Sequence, residues 1–436
     1  MYCVYMNNFR GFTRTVVPIR SVNFLVGENS TGKSSFLALS QLLMLYPFWF
    51  NFDFNIAESY EFGGYKDIVS AFSDDNTEFQ VGECNVNKDQ WENNIYYLMH
   101  FRKSKNGIPE LFRFSLLGDQ YFITIKILDK QPALALSTDF SICKDFQSPD
   151  CCFEFLQEIS TSLSLDYKKL SDEETEFLRQ KPIFFSLKTI ISKYLVKKIK
   201  NNKSKLFMFP FILPFISLAP IRTTPKRTYD GYTKHFSPEG EHTPYVIRMQ
   251  LPRKKSATNV FKEELEIFGK NSGLFETIGI TQFGKDSTSP FELTVTLDTK
   301  TFRINSVGYG VSQVLPVIVE LLLLNKNTWI AIQQPEVHLH PKAQAALGDV
   351  FFQVANKKSQ TLLIETHSDY LLDRFRLNMR DNEHPKGFAQ VIFFDRTESG
   401  NCIYPMIINE KGEYPEDQPP GFREFFLAEQ KRILGI

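Results

Sequence analysis

This sequence shows no excess of either charge: 50 lysines and arginines stand against 50 aspartates and glutamates over 436 residues. No overall field steers such a chain toward nucleic acid, although a local basic patch is left open. Cysteine is scarce and unpatterned. The six cysteines include the adjacent pair Cys151 and Cys152 but no C-x-x-C spacing, which speaks against a zinc ribbon and a disulfide framework and for reduced, mostly core thiols. Residues 1–10 lack the basic region and apolar core of a secretory leader. The longest apolar run, residues 206–221, is broken by Pro210, Pro214 and Pro220 and falls short of the roughly 20 residues that span a bilayer; it reads as buried strands. The aromatic stretch 42–54 is also too short and is expected to continue a helix into the core. Also missing is a sustained a/d heptad pattern through residues 150–205 or elsewhere, so no long coiled-coil arms are expected. A cytoplasmic protein without a membrane partner is the reading these absences leave.

Among the features present, Gly27-Glu28-Asn29-Ser30-Thr31-Gly32-Lys33-Ser34 is the most specific. It fits G-x-x-x-x-G-K-[ST], follows the β-rich stretch 21–26 and precedes the helix-like run 35–45, the context a P-loop requires. Glycines let successive amides turn toward phosphates, Lys33 neutralises β/γ charge, Ser34 offers a hydroxyl to Mg²⁺, and the helix N-terminus adds its dipole. The chain therefore reads as a nucleoside triphosphate binder.

Three distant segments bear on the same chemistry. Residues 329–332 form a short apolar strand ending in Gln333-Gln334-Pro335-Glu336-Val337-His338-Leu339-His340-Pro341, and residues 361–364 form another ending in Glu365-Thr366-His367-Ser368-Asp369. Both have the character of buried parallel strands that deliver polar groups to their C-terminal ends. Upstream, the Gly/Ser/Gln cluster Gly308-Tyr309-Gly310-Val311-Ser312-Gln313 is expected to open a helix over residues 317–324, an anion-ready surface; Ser312 as a plain helix cap is the alternative. His338, His340 and His367 could suggest zinc, but a third and fourth ligand at metal-like spacing are not visible. Between these segments, residues 2–26 read as an opening hairpin, and residues 78–86, 94–102, 111–117 and 120–128 as an antiparallel sheet. Residues 153–163, 172–180 and 188–200 read as helices, with Ser171-Asp172-Glu173-Glu174 a helix start and the lysine-rich run 197–205 a solvated end. A loop containing Arg222, Lys226 and Arg227 among prolines suits either a rigid cation-presenting loop or an ordinary exposed one.

Taken together, these motifs resemble the ABC-type ATPase heads of the SMC and OLD-like families, and more closely the single-head AAA family ATPases of bacterial anti-phage defence operons. The resemblance covers residues 1–40 and 302–396 well and the middle weakly. It implies an α/β P-loop NTPase of ABC-ATPase type, with a mixed sheet, a flanking antiparallel β lobe and a helical insertion. The expected organisation is an N-terminal ATPase lobe over residues 1–149, a helical insertion over 150–205 and a C-terminal lobe over 206–436. By the same resemblance Arg10, Asn29, Gly32, Lys33, Ser34, Ser35, Ser312 and Gln313 bind ATP, Ser34 and Gln333 hold Mg²⁺, and Gln334, Glu336 and His367 are catalytic. It further implies a homodimer or higher homo-oligomer closing around nucleotide and controlling a separate effector protein, a nuclease or toxin, since residues 368–436 carry no D-x-D cluster. A repair-type ATPase acting on nucleic acid and a scaffold with a degenerate site are the competing readings. Pro419-Pro420-Gly421-Phe422 matches a closing element of the family.

The chain departs from the family where two acids are usual and Gln333 and Gln334 stand instead. Glutamine keeps the shape of glutamate and loses its charge and its proton acceptor. Tight ATP binding with slow hydrolysis is the expectation. Glu336 is placed by its position in the sequence toward the dimer partner or the His338–His340 loop.

Overall fold

The computed structural model describes residues 1–56, 60–72, 77–86, 94–118, 121–128, 131–137, 149–161, 165–179, 182–198, 210–232, 234–251 and 259–422. By its own contacts the chain divides into two compact units, one of Met1–Ile19, Glu28–Leu213 and Phe394–Pro405, the other of Arg20–Gly27, Pro214–Phe393 and Met406–Ile436. The architecture is mixed α/β with several sheets.

Strands β1 (Tyr2–Asn7) and β2 (Thr15–Ile19) pair as the opening antiparallel hairpin, and β3 (Val22–Gly27) then leads into helix α1 (Lys33–Met44). The aromatic stretch after it does not prolong α1. Pro47 in a continuing helix would clash with the carbonyl of residue 43. Leu45 turns extended instead, a short helix α2 (Tyr46–Asn51) begins, and the indole of Trp49 donates to the Leu43 carbonyl at 2.8 Å. The burial expected of this segment is met by Phe48, Trp49, Phe52 and Phe54.

Helix α3 (Tyr65–Ile68) is followed by strands β4 (Glu78–Asn85), β5 (Ile95–Lys103), β6 (Pro109–Gly118), β7 (Tyr121–Lys126) and β8 (Ala133–Ser137). Helix α4 (Pro149–Thr161), strand β9 (Lys168–Lys169) and helices α5 (Asp172–Arg179) and α6 (Ile183–Lys198) come next. The antiparallel sheet runs in the order β2-β1-β4-β5-β6-β7-β8-β9. Alternation in these strands puts one set of side chains under α4, where Tyr5 of β1 stacks on Phe153 at 4.6 Å. The start signal of α5 is a reciprocal capping box: Ser171 N–H donates to Glu174 at 3.0 Å and Glu174 N–H to the Ser171 hydroxyl at 3.2 Å. Of the lysine-rich run, residues 199–205 lie outside the described residues.

The second unit continues with strand β10 (Phe215–Leu218), helices α7 (Thr243–Gln250) and α8 (Val260–Ser272), and a three-stranded sheet of β11 (Thr277–Gln282), β12 (Phe291–Leu297) and β13 (Lys300–Arg303). Helix α9 (Tyr309–Leu323), strand β14 (Trp329–Gln333), helix α10 (Pro341–Lys358), strand β15 (Thr361–Glu365) and helix α11 (Asp369–Asp381) follow, and strands β16 (Ala389–Thr397) and β17 (Gly400–Ile408) are shared, their Phe394–Pro405 portion counting with the first unit. The six-stranded sheet has the order β10-β14-β15-β3-β16-β17, with β10, β14, β15 and β3 parallel. Val22, Phe24, Ile330, Ile332, Leu362 and Ile364 are fully buried, as near-continuous apolar runs in a parallel sheet require. Because Gln333 is level with Glu365 and Glu365 with Leu25, three strands end side by side at their carboxyl ends.

Two expectations change here. Strand β10 is an edge strand in which only Leu218 is buried, and Ile221 beyond it is exposed; an edge covers one side where an interior strand covers both. Helix α9 begins at Tyr309, eight residues before the expected start, with Pro316 inside it. Proline has no N–H to give the helix, but burial of Val311, Val314, Leu315 and Ile318 on the core face outweighs one absent hydrogen bond.

Candidate nucleotide site

The loop after β3 is built from its own residues. Gly32 has φ +98°, and a Cβ there would come within 2.4 Å of the Phe12 ring and 3.0 Å of the Asn401 side chain, so only glycine passes. The hydroxyl of Thr31 donates to the Glu28 carbonyl at 2.8 Å, Lys33 Nζ donates to the same oxygen at 2.7 Å, and Arg396 donates to the Ser30 carbonyl. Carbonyls are thereby turned inward and engaged. Among the described residues no acceptor takes up the amides of Asn29, Ser30, Thr31 and Gly32, and the first turn of α1 holds no acidic residue. An open row of N–H groups at an uncompensated helix N-terminus fits a polyphosphate. Lys33 is buried, Asn29 exposed, and Ser34 and Ser35 half-buried in the first turn of α1. Arg10 Nη2 donates to the Phe62 carbonyl at 2.8 Å, and the guanidinium lies over the Tyr60 and Phe62 rings.

In the second unit, the ends of β14 and β15 gather the polar residues. Gln333 Nε2 lies 3.4 Å from the Glu365 carboxylate, and Gln334 N–H donates to the Glu365 carbonyl at 2.8 Å. Gln334 adopts φ +45°, a left-handed conformation that costs a non-glycine residue about 1–3 kcal/mol. Glu365 was not singled out in the sequence. The signal that could have found it is an acid at the C-terminal end of a buried parallel strand, beside the strand whose own acids are missing.

Glu336 lies at the turn that follows β14. It is 9% exposed, and its Oε1 accepts the His367 N–H at 2.7 Å. Its Oε2 is buried without a hydrogen-bond partner among the described residues. Burial pushes the carboxyl above the ordinary carboxylate value, against the His367 amide, its own amide, the Thr366 hydroxyl and the Arg222 charge, which pull it down. A buried acceptor with a raised pKa is the character of a general base. His367 itself is exposed at the strand end.

In the loop of Arg222, Lys226 and Arg227, only Arg222 turns inward. It is 2% exposed and donates to the Gln333 carbonyl at 2.8 Å, whereas Lys226 and Arg227 are exposed. Burial lowers its pKa to about 10 despite the Glu336 charge nearby, so it stays cationic at neutral pH. Ser312 is not a cap. It sits in the first turn of α9, is 8% exposed and donates to the Tyr309 carbonyl at 2.8 Å. Gln313 is buried, and exposed Gly308 and Tyr309 precede them. A Cβ on Gly310 would lie 2.8 Å from the His338 carbonyl, so this glycine lets the helix start sit against the 338–340 loop. His338 meets the Tyr309 ring edge-on at 5.1 Å, and His340 caps α10 by accepting Lys342 N–H at 3.3 Å. Those contacts account for two of the histidines, and no metal-holding cluster of His, Cys, Asp or Glu occurs among the described residues.

A P-loop that follows a parallel strand and opens a helix defines a P-loop NTPase. Residues 1–372 match the family model described as AAA ATPase domain, and the chain belongs to that family. It is an AAA-type ATPase. A search of curated proteins gave no match. Among solved structures the chain is similar to the SMC head domain from Thermotoga maritima, at 9% identity and TM-score 0.39 over 92% of this chain and 97% of that one. It is also similar to the Smc head domain with an extended coiled coil bound to the C-terminal domain of ScpA from Pyrococcus furiosus, at 10% identity and TM-score 0.41 over 99% and 100%. No helix among the described residues is long and apolar enough to cross a membrane.

Proposed function

We propose that the chain binds ATP with Mg²⁺ through its P-loop, hydrolyses it slowly, and uses the bound nucleotide to close two copies of itself. The open amide row of residues 29–32, ending at the buried Lys33, carries this reading. Lys33 supplies charge to the β- and γ-phosphates, Ser34 a hydroxyl to Mg²⁺, and Gln333 with Glu365 the polar lining for metal-bound water. Glu336 Oε2 takes the proton of the water that attacks the γ-phosphorus as the bond to the β-phosphate oxygen of ADP breaks. The Gln334 amide cannot accept a proton, and it is to this that slow turnover is attributed. His367 and the first turn of α9, with Ser312 and Gln313, respond to the γ-phosphate. By the motif resemblance, the closed pair acts in the cytoplasm as the sensor subunit of an anti-phage defence system that holds or releases a separate effector.

The test is calorimetry with ATP and Mg²⁺ on the wild type and Lys33→Ala. Loss of one charged hydrogen-bond donor at a phosphate should weaken binding by about 100-fold with the circular dichroism spectrum unchanged. Equal affinity in a folded variant removes the P-loop from the site, and no heat with either protein supports the scaffold reading.

A further inference from the structure

Arg222 is a buried guanidinium that forms no ion pair among the described residues. Burying a charge is costly, and here the nearby Glu336 carboxylate and the hydrogen bonds of the guanidinium offset that cost. Its Nη2 donates to the Gln333 carbonyl at 2.8 Å, and Nη1 reaches the Gln334 carbonyl at 3.5 Å, a longer contact. Both acceptors are main-chain atoms at the corner where β14 ends and where Gln334 takes its left-handed turn. On its other side, the Arg222 carbonyl faces Gln313 Nε2 at 3.5 Å, and Gln313 is buried in the first turn of α9. Glu336 follows the corner by two residues and is held in turn by the His367 amide. One residue, through its main-chain carbonyl on one side and its guanidinium on the other, therefore stands between the start of α9 and the corner that leads to Glu336.

We propose that Arg222 is a positioning residue that ties the first turn of α9 to the carboxyl end of β14 and so fixes where the Glu336 carboxylate lies. The forked guanidinium is what the geometry needs, because two carbonyls a residue apart take two donors in a fixed plane, and a lysine ammonium on a flexible stem cannot reproduce that fork. A shift of the start of α9 reaches Glu336 through Gln313 and Arg222. This inference rests on the ATPase reading, with Glu336 as base.

The experiment is single-turnover cleavage of γ-labelled ATP by the full chain across ATP concentrations, with melting temperature and calorimetric ATP affinity measured in parallel. Arg222→Lys should cut the maximal rate by about tenfold or more, since small misplacement of a catalytic group has effects of that size, while half-saturation stays within about twofold. Gln313→Ala should act in the same direction and more weakly, and the double variant should be no slower than Arg222→Lys, as members of one linkage are not additive. An Arg222→Lys protein that melts earlier yet cleaves at the wild-type rate has lost only stability, and the proposal fails. It fails also if half-saturation alone moves, or if Gln313→Ala adds its full effect to that of Arg222→Lys. Should Arg222→Lys not fold, a wild-type rate in Gln313→Ala overturns the linkage. A wild type that binds no ATP defeats the ATPase reading itself, whereas one that binds but never cleaves ATP overturns the role given to Glu336 and to Arg222.

Discussion

Glu336 and Gln334 stand two residues apart, and one has what the other lacks: a carboxylate oxygen that can take a proton. Glu336→Gln keeps the acceptor for the His367 amide and removes the base, so the hydrolysis rate should fall by about 10²–10⁴-fold, the usual range for general-base catalysis. Burial raises the pKa of Glu336, and a base works only when deprotonated. The rate should therefore rise with pH through a midpoint above the ordinary carboxylate value, and pH-rate profiles of wild type and Glu336→Gln should differ by loss of that limb. Gln334→Glu is expected to raise turnover, because a carboxylate polarises water where an amide does not. If Gln334→Glu leaves the rate unchanged while Glu336→Gln stops it, Gln334 serves only its strained turn.

The elements that were legible in the sequence are those whose signals are local. The P-loop strand and helix, the parallel strands β14 and β15, the β4–β7 sheet and the capping box of Ser171 and Glu174 all follow from spacing and turn chemistry. What was not legible depends on neighbours remote in the chain. Whether Pro316 ends or enters a helix is decided by core burial of α9, and whether Arg222 faces water or the Gln333 carbonyl is decided by a contact across more than a hundred residues. The proximity of Glu365 to Gln333 likewise exists only once β14 and β15 are in register. Another such contact joins β1 to β4: the Tyr2 hydroxyl donates to Glu83 at 2.6 Å and Phe211 N–H reaches its other oxygen at 3.1 Å. Burial lifts the Glu83 carboxyl from 4.5 to about 8. The unfolded chain ionises Glu83 above its ordinary pKa while the folded chain keeps it neutral, so stability is fully present below about pH 4.5 and is lost as pH rises toward about 8. Glu83→Gln should flatten that part of the profile, raising the melting temperature at pH 8 more than at pH 5. Equal shifts at both pH values would mean that Glu83 is ionised in the fold.

At the scale of the whole molecule, the proposed function rests on two copies meeting. Gly308 is exposed at the start of α9, takes φ −55°, and a Cβ there would meet nothing within 4 Å. Arginine at this position adds bulk and charge outside the fold, whereas at buried Ser312 it would also disturb the core. Gly308→Arg should therefore leave ATP affinity and melting temperature near wild type and block association. The most direct measurement of the account is mass photometry of the wild type, Lys33→Ala and Gly308→Arg, each with and without ATP and Mg²⁺. The account predicts that ATP doubles the mass of the wild type alone, with Lys33→Ala failing for want of nucleotide and Gly308→Arg failing although it binds nucleotide. A wild-type mass indifferent to ATP at concentrations that saturate its calorimetric site would contradict it.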